Sequence, residues 1–436
     1  MTSRPAGSGA RLDPSTGGHD SPEGSDRAAA AVDPDEVVRI TRRLVRCAGT
    51  NPPGEEAATA AEIAAIAAEL GLQVETVEVA PGRPNVVVTL PATGANRGNG
   101  GNGGSDPHAA DGPALLLLGH SDVVPVGAGW TRDPFGGELA DGRIYGRGAT
   151  DMKGGLAATL AAMGALRRSG ARLRGPVMLL AAIDEEETGL GARHWVEHGL
   201  PRLPGLAGCL VAEPTDLQPI IAARGDSYLH VVVDGQAAHA GNPADGRNAI
   251  HGAALVVAAM ERWHDDLAGA PPVLDGLVGP ATLSVGTIRG GESTAMVAAR
   301  CELEVDRRLL PGEDPEQMLA EARRRVADLY LAGRGLTSRV ELVMALPGFA
   351  TDAADPFVTH TQRALDAAGG PGLPPGGWSA ACDGGHVALA TGAPVVVLGP
   401  GSVTGQAHRP DESVGVEELA IAARCYARLA CAVLAG

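Results

Sequence analysis

The chain has 436 residues, 44% of them hydrophobic and 20% charged, with a formal net charge of -17. At roughly 150 residues per domain this is a chain of two or three domains, long enough to fold without disulfides or a structural metal. Its acidic balance and its aromatic content of 3% argue against nucleic acid and anionic membrane surfaces, which need basic patches and stacking platforms.

Residues 1–31 have the Ser, Gly, Pro and charged composition of a disordered tail. They hold no apolar stretch that would make a secretory signal. Order is expected from Asp33-Pro34-Asp35-Glu36, which reads as a helix start: Asp33 as N-cap, Pro34 in the first turn, Glu36 closing a capping box. A second helix is expected from about Glu55 to Leu70, stopped by Gly71. Residues 94–112, rich in Gly and Asn, read as a flexible insertion.

Four short runs follow that are apolar on both faces: Leu115–Leu118, Val177–Ile183, Cys209–Ala212 and Val395–Leu398. Each suits a central strand covered by helices on both sides. Helical stretches around 154–168, 190–198, 355–368 and 416–433 alternate with them, which argues for an α/β fold with a mostly parallel sheet. Between them, residues 226–345 read as β-α-β-β-α-β, the order of a ferredoxin-like α+β sandwich. The expected organisation is therefore a catalytic domain in two parts, 32–225 and 346–436, with the smaller domain inserted.

Six scattered cysteines without a C-x-x-C pair exclude a thiolate zinc cluster and fit reduced thiols in a cytoplasmic protein. No run of 18 apolar residues is present to span a bilayer. Of the 35 basic residues only Lys153 is a lysine.

In an open α/β sheet, ligands bind beyond the carboxyl ends of the strands. The apolar runs lead to Gly119-His120-Ser121-Asp122, to Asp184-Glu185-Glu186-Glu187, to Glu213-Pro214-Thr215 and, through Gly399-Pro400-Gly401, to His408. A cluster of His, Asp and Glu without cysteine suits Zn²⁺, Co²⁺ or Mn²⁺. The spacing His120-x-Asp122 offers a carboxylate to orient the imidazole. Two metals sharing a carboxylate would polarise a carbonyl and activate water, and a further carboxylate beside them could take the proton.

The segments from His120 to Pro125, Trp130 with Asp133-Pro134-Phe135, Asp141 to Gly154, Asp184-Glu185-Glu186, Glu213-Pro214-Thr215, Gly235–Ile250 and Gly399–Glu412 together resemble the M20 family of metallopeptidases and deacylases. The resemblance runs from about residue 35 to the C-terminus. It implies a two-metal site: His120 and Glu213 on one ion, Glu186 and His408 on the other, Asp151 bridging. It further implies Glu185 as general base, Asp122 as the group orienting His120, and Glu187 as a solvated neighbour. His239 would reach the active site of a partner subunit in a homodimer, donating to the oxyanion, which makes the small domain a dimerisation and lid domain. Arg308 would pair with a substrate carboxylate, while Arg307 beside it reads as a surface charge.

One departure stands out: Ala295 occupies a position where the family commonly has Asn, and Ala298 one where it has Pro. The implied activity is a metal-dependent hydrolase of C–N bonds that removes an acyl group from an N-acyl amino acid. Its closest branch is that of acetylornithine deacetylase and succinyl-diaminopimelate desuccinylase. A carboxypeptidase or dipeptidase of short peptides is one alternative, and a non-catalytic binding or regulatory relative another. His194 and His198 read as an exposed helix face, and His386 lies near a region that contacts substrate in relatives without being assigned a role. No G-x-S-x-G or P-loop is present.

Overall fold

The computed structural model describes residues 22–93, 112–271 and 273–435. The insertion expected at 94–112 lies outside the described residues except for Gly112, which is buried. The disordered tail expected over residues 1–31 does not hold for its last part. Pro22–Ala30 is a helix, held because Ala28 is fully buried in the core and Arg428 pairs with Asp26 at 2.7 Å. Residues 1–21 lie outside the described residues.

Two compact units divide the chain: residues 1–221, 351–376 and 386–436 in the first, and 222–350 with 377–385 in the second. The return of 377–385 to the second unit is a detail that a single uninterrupted insert did not anticipate.

In the first unit the four apolar runs form Ala114–His120, Val177–Ala182, Leu206–Val211 and Val395–Val397. They are mutually parallel neighbours, with Leu118 opposite both Leu180 and Val211, and Val397 also opposite Val211. Their carboxyl ends therefore share one edge. Antiparallel strands flank this centre, among them the hairpin Gln73–Ala80 and Arg83–Leu90; the first alternates polar and apolar residues, and the second carries the short buried run Val86–Val88.

Beneath the sheet, the helix Gly154–Ser169 is buried from Gly154 to Leu166, as a helix apolar all round must be. A Cβ on Gly155 would sit 2.0 Å from the carbonyl oxygen of Ala212, so only glycine lets this helix approach the strand that ends at Glu213. The helix Pro34–Val45 begins as its sequence predicts, with Asp33 accepting the N–H of Asp35 at 3.0 Å. Its capping box does not form, because Glu36 turns instead to Arg168 at 2.8 Å.

The second unit contains strands Asp226–Asp234, Thr282–Gly290, Arg300–Arg308 and Thr337–Leu346, with helices Ala249–Ala268 and Pro315–Ala327. Its sheet is antiparallel throughout, with the second strand at one edge, then the third, the first and the fourth. That is the ferredoxin-like arrangement. No described helix is long and apolar enough to cross a membrane.

Candidate functional site

His120 ends its strand at 1% exposure. Its Nδ1 lies 3.0 Å from the main-chain carbonyl of Asp122 and 3.5 Å from that residue's carboxylate. The nearer carbonyl takes the Nδ1 proton, which leaves Nε2 as the lone-pair nitrogen of the neutral ring. Nε2 faces Asp151 Oδ1 at 3.2 Å, Glu213 Oε1 at 3.5 Å and Glu185 Oε2 at 4.0 Å. On the far side of Asp151, Oδ2 is 3.3 Å from His408 Nε2, and Glu186 Oε2 is 3.2 Å from the same nitrogen. Asp151 thus spans the two histidines.

Each of these side chains has a local cause for its position. Asp151 sits in an irregular turn, Ala149–Lys153, entered through Gly148 at φ 81°; a Cβ there would meet Val123 at 2.5 Å. Asp184 and His408 both take left-handed backbone conformations, at φ 67° and 62°, which is uncommon for residues other than glycine and frequent at functional turns. Asp184 turns away from the cluster to Arg83 at 2.7 Å. Glu185 and Glu186 then fall beside the histidines, and Glu187 is exposed.

The Asp122 carboxylate is buried and serves the loop more than the imidazole. It accepts the N–H groups of Glu185 and Glu186 at 3.3 and 3.2 Å and the Asn51 amide at 3.0 Å. The same amide donates to Asp184 at 3.0 Å. Asn51 was missed in the sequence, although its Asn-Pro-Pro-Gly turn could have drawn attention to it. Lys153, fully buried, donates to the carbonyls of Cys47 and Ala48, and burial pulls its pKa down to about 8.

The electrostatics of the cluster are those of acids in excess. Burial pushes Glu213 well up, with Asp151 and Glu186 adding to the shift against the pull of His120. Burial and Asp151 also raise Glu186. Asp151 is held low against burial by His120 and His408. His408, bonded to Asp151 and Glu186, is raised to about 10. His120 is raised well above its usual value because Glu213, Asp122 and Asp151 outweigh its burial.

The donor set fits divalent cations. Ligand atoms of His120, Asp151 and Glu186 lie within 4.8 Å of one another, as do those of His120, Glu185 and Glu213. Glu186 Oε1 is buried without a hydrogen-bond partner, an atom that a cation would satisfy. Nitrogen and carboxylate oxygen without sulfur suit zinc, cobalt or manganese.

His239 and Arg308 belong to the second unit. His239 is exposed, and its Nδ1 accepts the Gly241 N–H at 3.0 Å, so a neutral ring carries its proton on Nε2. Its loop is tied to the segment containing Ala295: Ala240 donates to the Ala295 carbonyl at 2.9 Å and Val297 to that of Ala238 at 2.8 Å. Ala295 contributes its main chain and a methyl group where an Asn would add an amide. Arg308 already grips Asp306 at 2.9 and 3.0 Å and Asp226 at 3.0 Å. Arg307 corrects the expectation of a surface charge. It is 2% exposed, pairs with Glu313 at 2.8 Å and lies over the Trp263 ring at 5.6 Å, so it is a buried packing residue of that unit. His194 and His198 stack at 4.3 Å between ring centroids on their helix, and His386 is buried with an unpartnered Nε2.

Residues 116–432 match the model of peptidase family M20/M25/M40. An acetylornithine deacetylase of Vibrio campbellii (strain ATCC BAA-1116) is 32% identical over 352 residues, 79% of this chain and 83% of that protein. One of Yersinia pseudotuberculosis (strain IP 31758) is 33% identical over 366 residues, 80% of this chain and 83% of that protein. Among solved structures, an M20 family metallo-carboxypeptidase from Sulfolobus solfataricus superposes with a TM-score of 0.73 at 20% identity, over 92% of this chain and 99% of that one. A dinuclear metal binding peptidase from Bacillus subtilis does so with a TM-score of 0.66 at 18% identity, over 92% and 98%.

Proposed function

Because the chain belongs to the M20/M25/M40 peptidase family, a family of metal-dependent hydrolases of amide bonds, we propose that it removes the acyl group from an N-acyl amino acid with a pair of divalent ions, zinc foremost and cobalt or manganese in its place. The observation that carries this reading is Asp151 spanning His120 and His408 at 3.2 and 3.3 Å, with Glu213 and Glu186 on the outer sides. His120 and Glu213 would hold one ion and His408 and Glu186 the other, with Asp151 bridging.

Bound there, the ions supply Lewis-acid polarisation of the amide carbonyl and activation of water near neutral pH. Glu185 accepts the water's proton and passes it to the departing amine. Asp122 holds the main chain of Glu185 and Glu186 in place through two N–H bonds, and through its carbonyl fixes the His120 tautomer. His239, on the small domain of a second subunit in a homodimer, donates from Nε2 to the oxygen that gains charge. Arg308 anchors the substrate carboxylate.

A second reading, hydrolysis of short peptides by the same residues, is favoured by the metallo-carboxypeptidase likeness. The two separate in one assay. Chelator-stripped protein, reloaded with Zn²⁺ or Co²⁺, is offered N-acetyl and N-succinyl amino acids and dipeptides. The proposal expects metal-dependent release of acetate or succinate with a kcat/KM at least tenfold above that for dipeptides. A preference for dipeptides would replace it with the second reading. A protein that binds no metal and hydrolyses none of them would be the non-catalytic relative, for which no expected ligand or base is missing.

A further inference from the structure

We infer that the buried pair Arg147–Glu412 is a positioning clamp that sets the His408 side of the metal site. This rests on the two-metal reading above.

Glu412 immediately precedes the short strand Ser413–Gly415, which pairs with Arg143–Tyr145. That pairing brings it against the turn that carries Asp151. The Glu412 side chain is fully buried and that of Arg147 is 3% exposed. Glu412 Oε1 accepts two main-chain N–H groups, from Thr150 at 2.9 Å and from Asp151 itself at 3.1 Å. Its Oε2 takes Arg147 Nη1 at 2.6 Å. The same Nη1 reaches 3.5 Å from the carbonyl of Arg409, the residue after His408. Arg147 is steadied in turn by the Trp130 ring, 5.2 Å from its guanidinium carbon.

The clamp therefore joins the backbone of Asp151 to the segment that follows His408. Glu412 fixes the Asp151 main chain, and Arg147 links that anchor to the segment of His408. On the other side, His120 ends a central strand and is placed by the sheet, independently of this pair. A carboxylate is the strongest acceptor available for two converging N–H groups. A buried carboxylate, however, needs a partner, and arginine supplies one while having donors left for a second acceptor. Preorganisation of ligands by such outer contacts commonly tunes metal affinity by 10–100-fold. Arg147 and Glu412 are positioning residues; neither is placed as a ligand.

Glu412→Gln keeps an acceptor for Thr150 and Asp151 but breaks the charge pair, and Arg147→Met breaks it from the other side. The double variant Arg147→Met/Glu412→Gln removes both charges together, which buried pairs tolerate far better than losing one partner. Each protein is stripped with chelator and titrated with Zn²⁺ by calorimetry, and its thermal melting is followed in chelator. The expected result is two ions for the wild type. Each single variant should bind one ion as tightly as wild type and the second about 10–100-fold more weakly. The double variant should melt close to wild type yet keep the weak second site, because the tie to Arg409 stays cut. Wild-type affinity for both ions in the double variant would overturn the clamp. So would equal weakening of both ions in step with the melting temperature, which would mark a merely structural pair. A wild type that takes up fewer than two ions would overturn the two-metal function, and the clamp with it.

Discussion

The histidine–carboxylate cluster of the first unit and the arginine pairs of the second partner their carboxylates in opposite ways. In the first, the ion pairs of Asp151, Glu186 and Glu213 among the described residues are all with His120 or His408. In the second, Arg308 meets Asp226 and Asp306, Arg307 meets Glu313, and Arg300 and Arg339 share Asp234. Carboxylates matched by guanidinium groups need no further cation. Carboxylates that outnumber two imidazoles in a buried cluster have their pKa values raised by burial and by one another, as Glu186 and Glu213 do, and a bound metal relieves both costs. The first unit is thus assembled to hold cations. The second holds its charges in local pairs, such as Arg308 with Asp226 and Asp306.

The largest effect that separates the units should come from Glu185. Glu185→Ala is expected to lower kcat by a factor of about 10²–10⁴ while the protein retains two ions per chain, measured by turnover assay and elemental analysis on the same sample. Turnover within tenfold of wild type would move the base elsewhere. Loss of the ions would make Glu185 a ligand rather than the base.

His239→Ala should cost less, about 10²–10³ in kcat, and should leave metal content untouched because it lies in the other unit. Its dependence on a second subunit can be read by complementation. When equal amounts of His239→Ala and Glu185→Ala proteins exchange subunits at random, about half of the dimers are heterodimers with one of two sites intact, so activity should return toward about a quarter of wild type. Exchange without recovery would remove the argument for a shared site.

Sequence and structure agree where chemistry and pattern coincide. The four doubly apolar runs were legible as parallel strands, and because parallel strands end on one edge, His120, Glu185, Glu186 and Glu213 could be gathered without any contact map. Asp151 came only through resemblance, since it follows no strand. Its position depends on the irregular turn after Gly148 and on bonds to Glu412, which is 261 residues away. Asn51, Arg147 and Glu412 escaped notice because their partners are far away in the chain: Asn51 bonds the carboxylates of Asp122 and Asp184 across 71 and 133 residues, and Arg147 meets Glu412 across 265. Arg307 was misread because alternation along a strand says which face a side chain takes, not whether that face is covered. Here it is covered by the helix carrying Trp263.

Arg308 gives the smallest and most discriminating test. Its guanidinium is already shared between Asp226 and Asp306, so a substrate carboxylate would have to compete with both. Burial raises Asp226 to about 6 despite the opposing pull of Arg308, so at neutral pH its charge leans on that pair. Arg308→Ala removes the cation and leaves two acids facing the same space, and KM for a carboxylate-bearing substrate should rise about 10–100-fold, with kcat and metal content near wild type. Asp306→Asn should do the reverse on a smaller scale, freeing part of the fork and lowering KM by at most about fivefold, as expected for a half-exposed pair. If both variants raise KM equally, the cluster is a structural unit of the second domain. If either one alters metal content, the division of labour between the units fails.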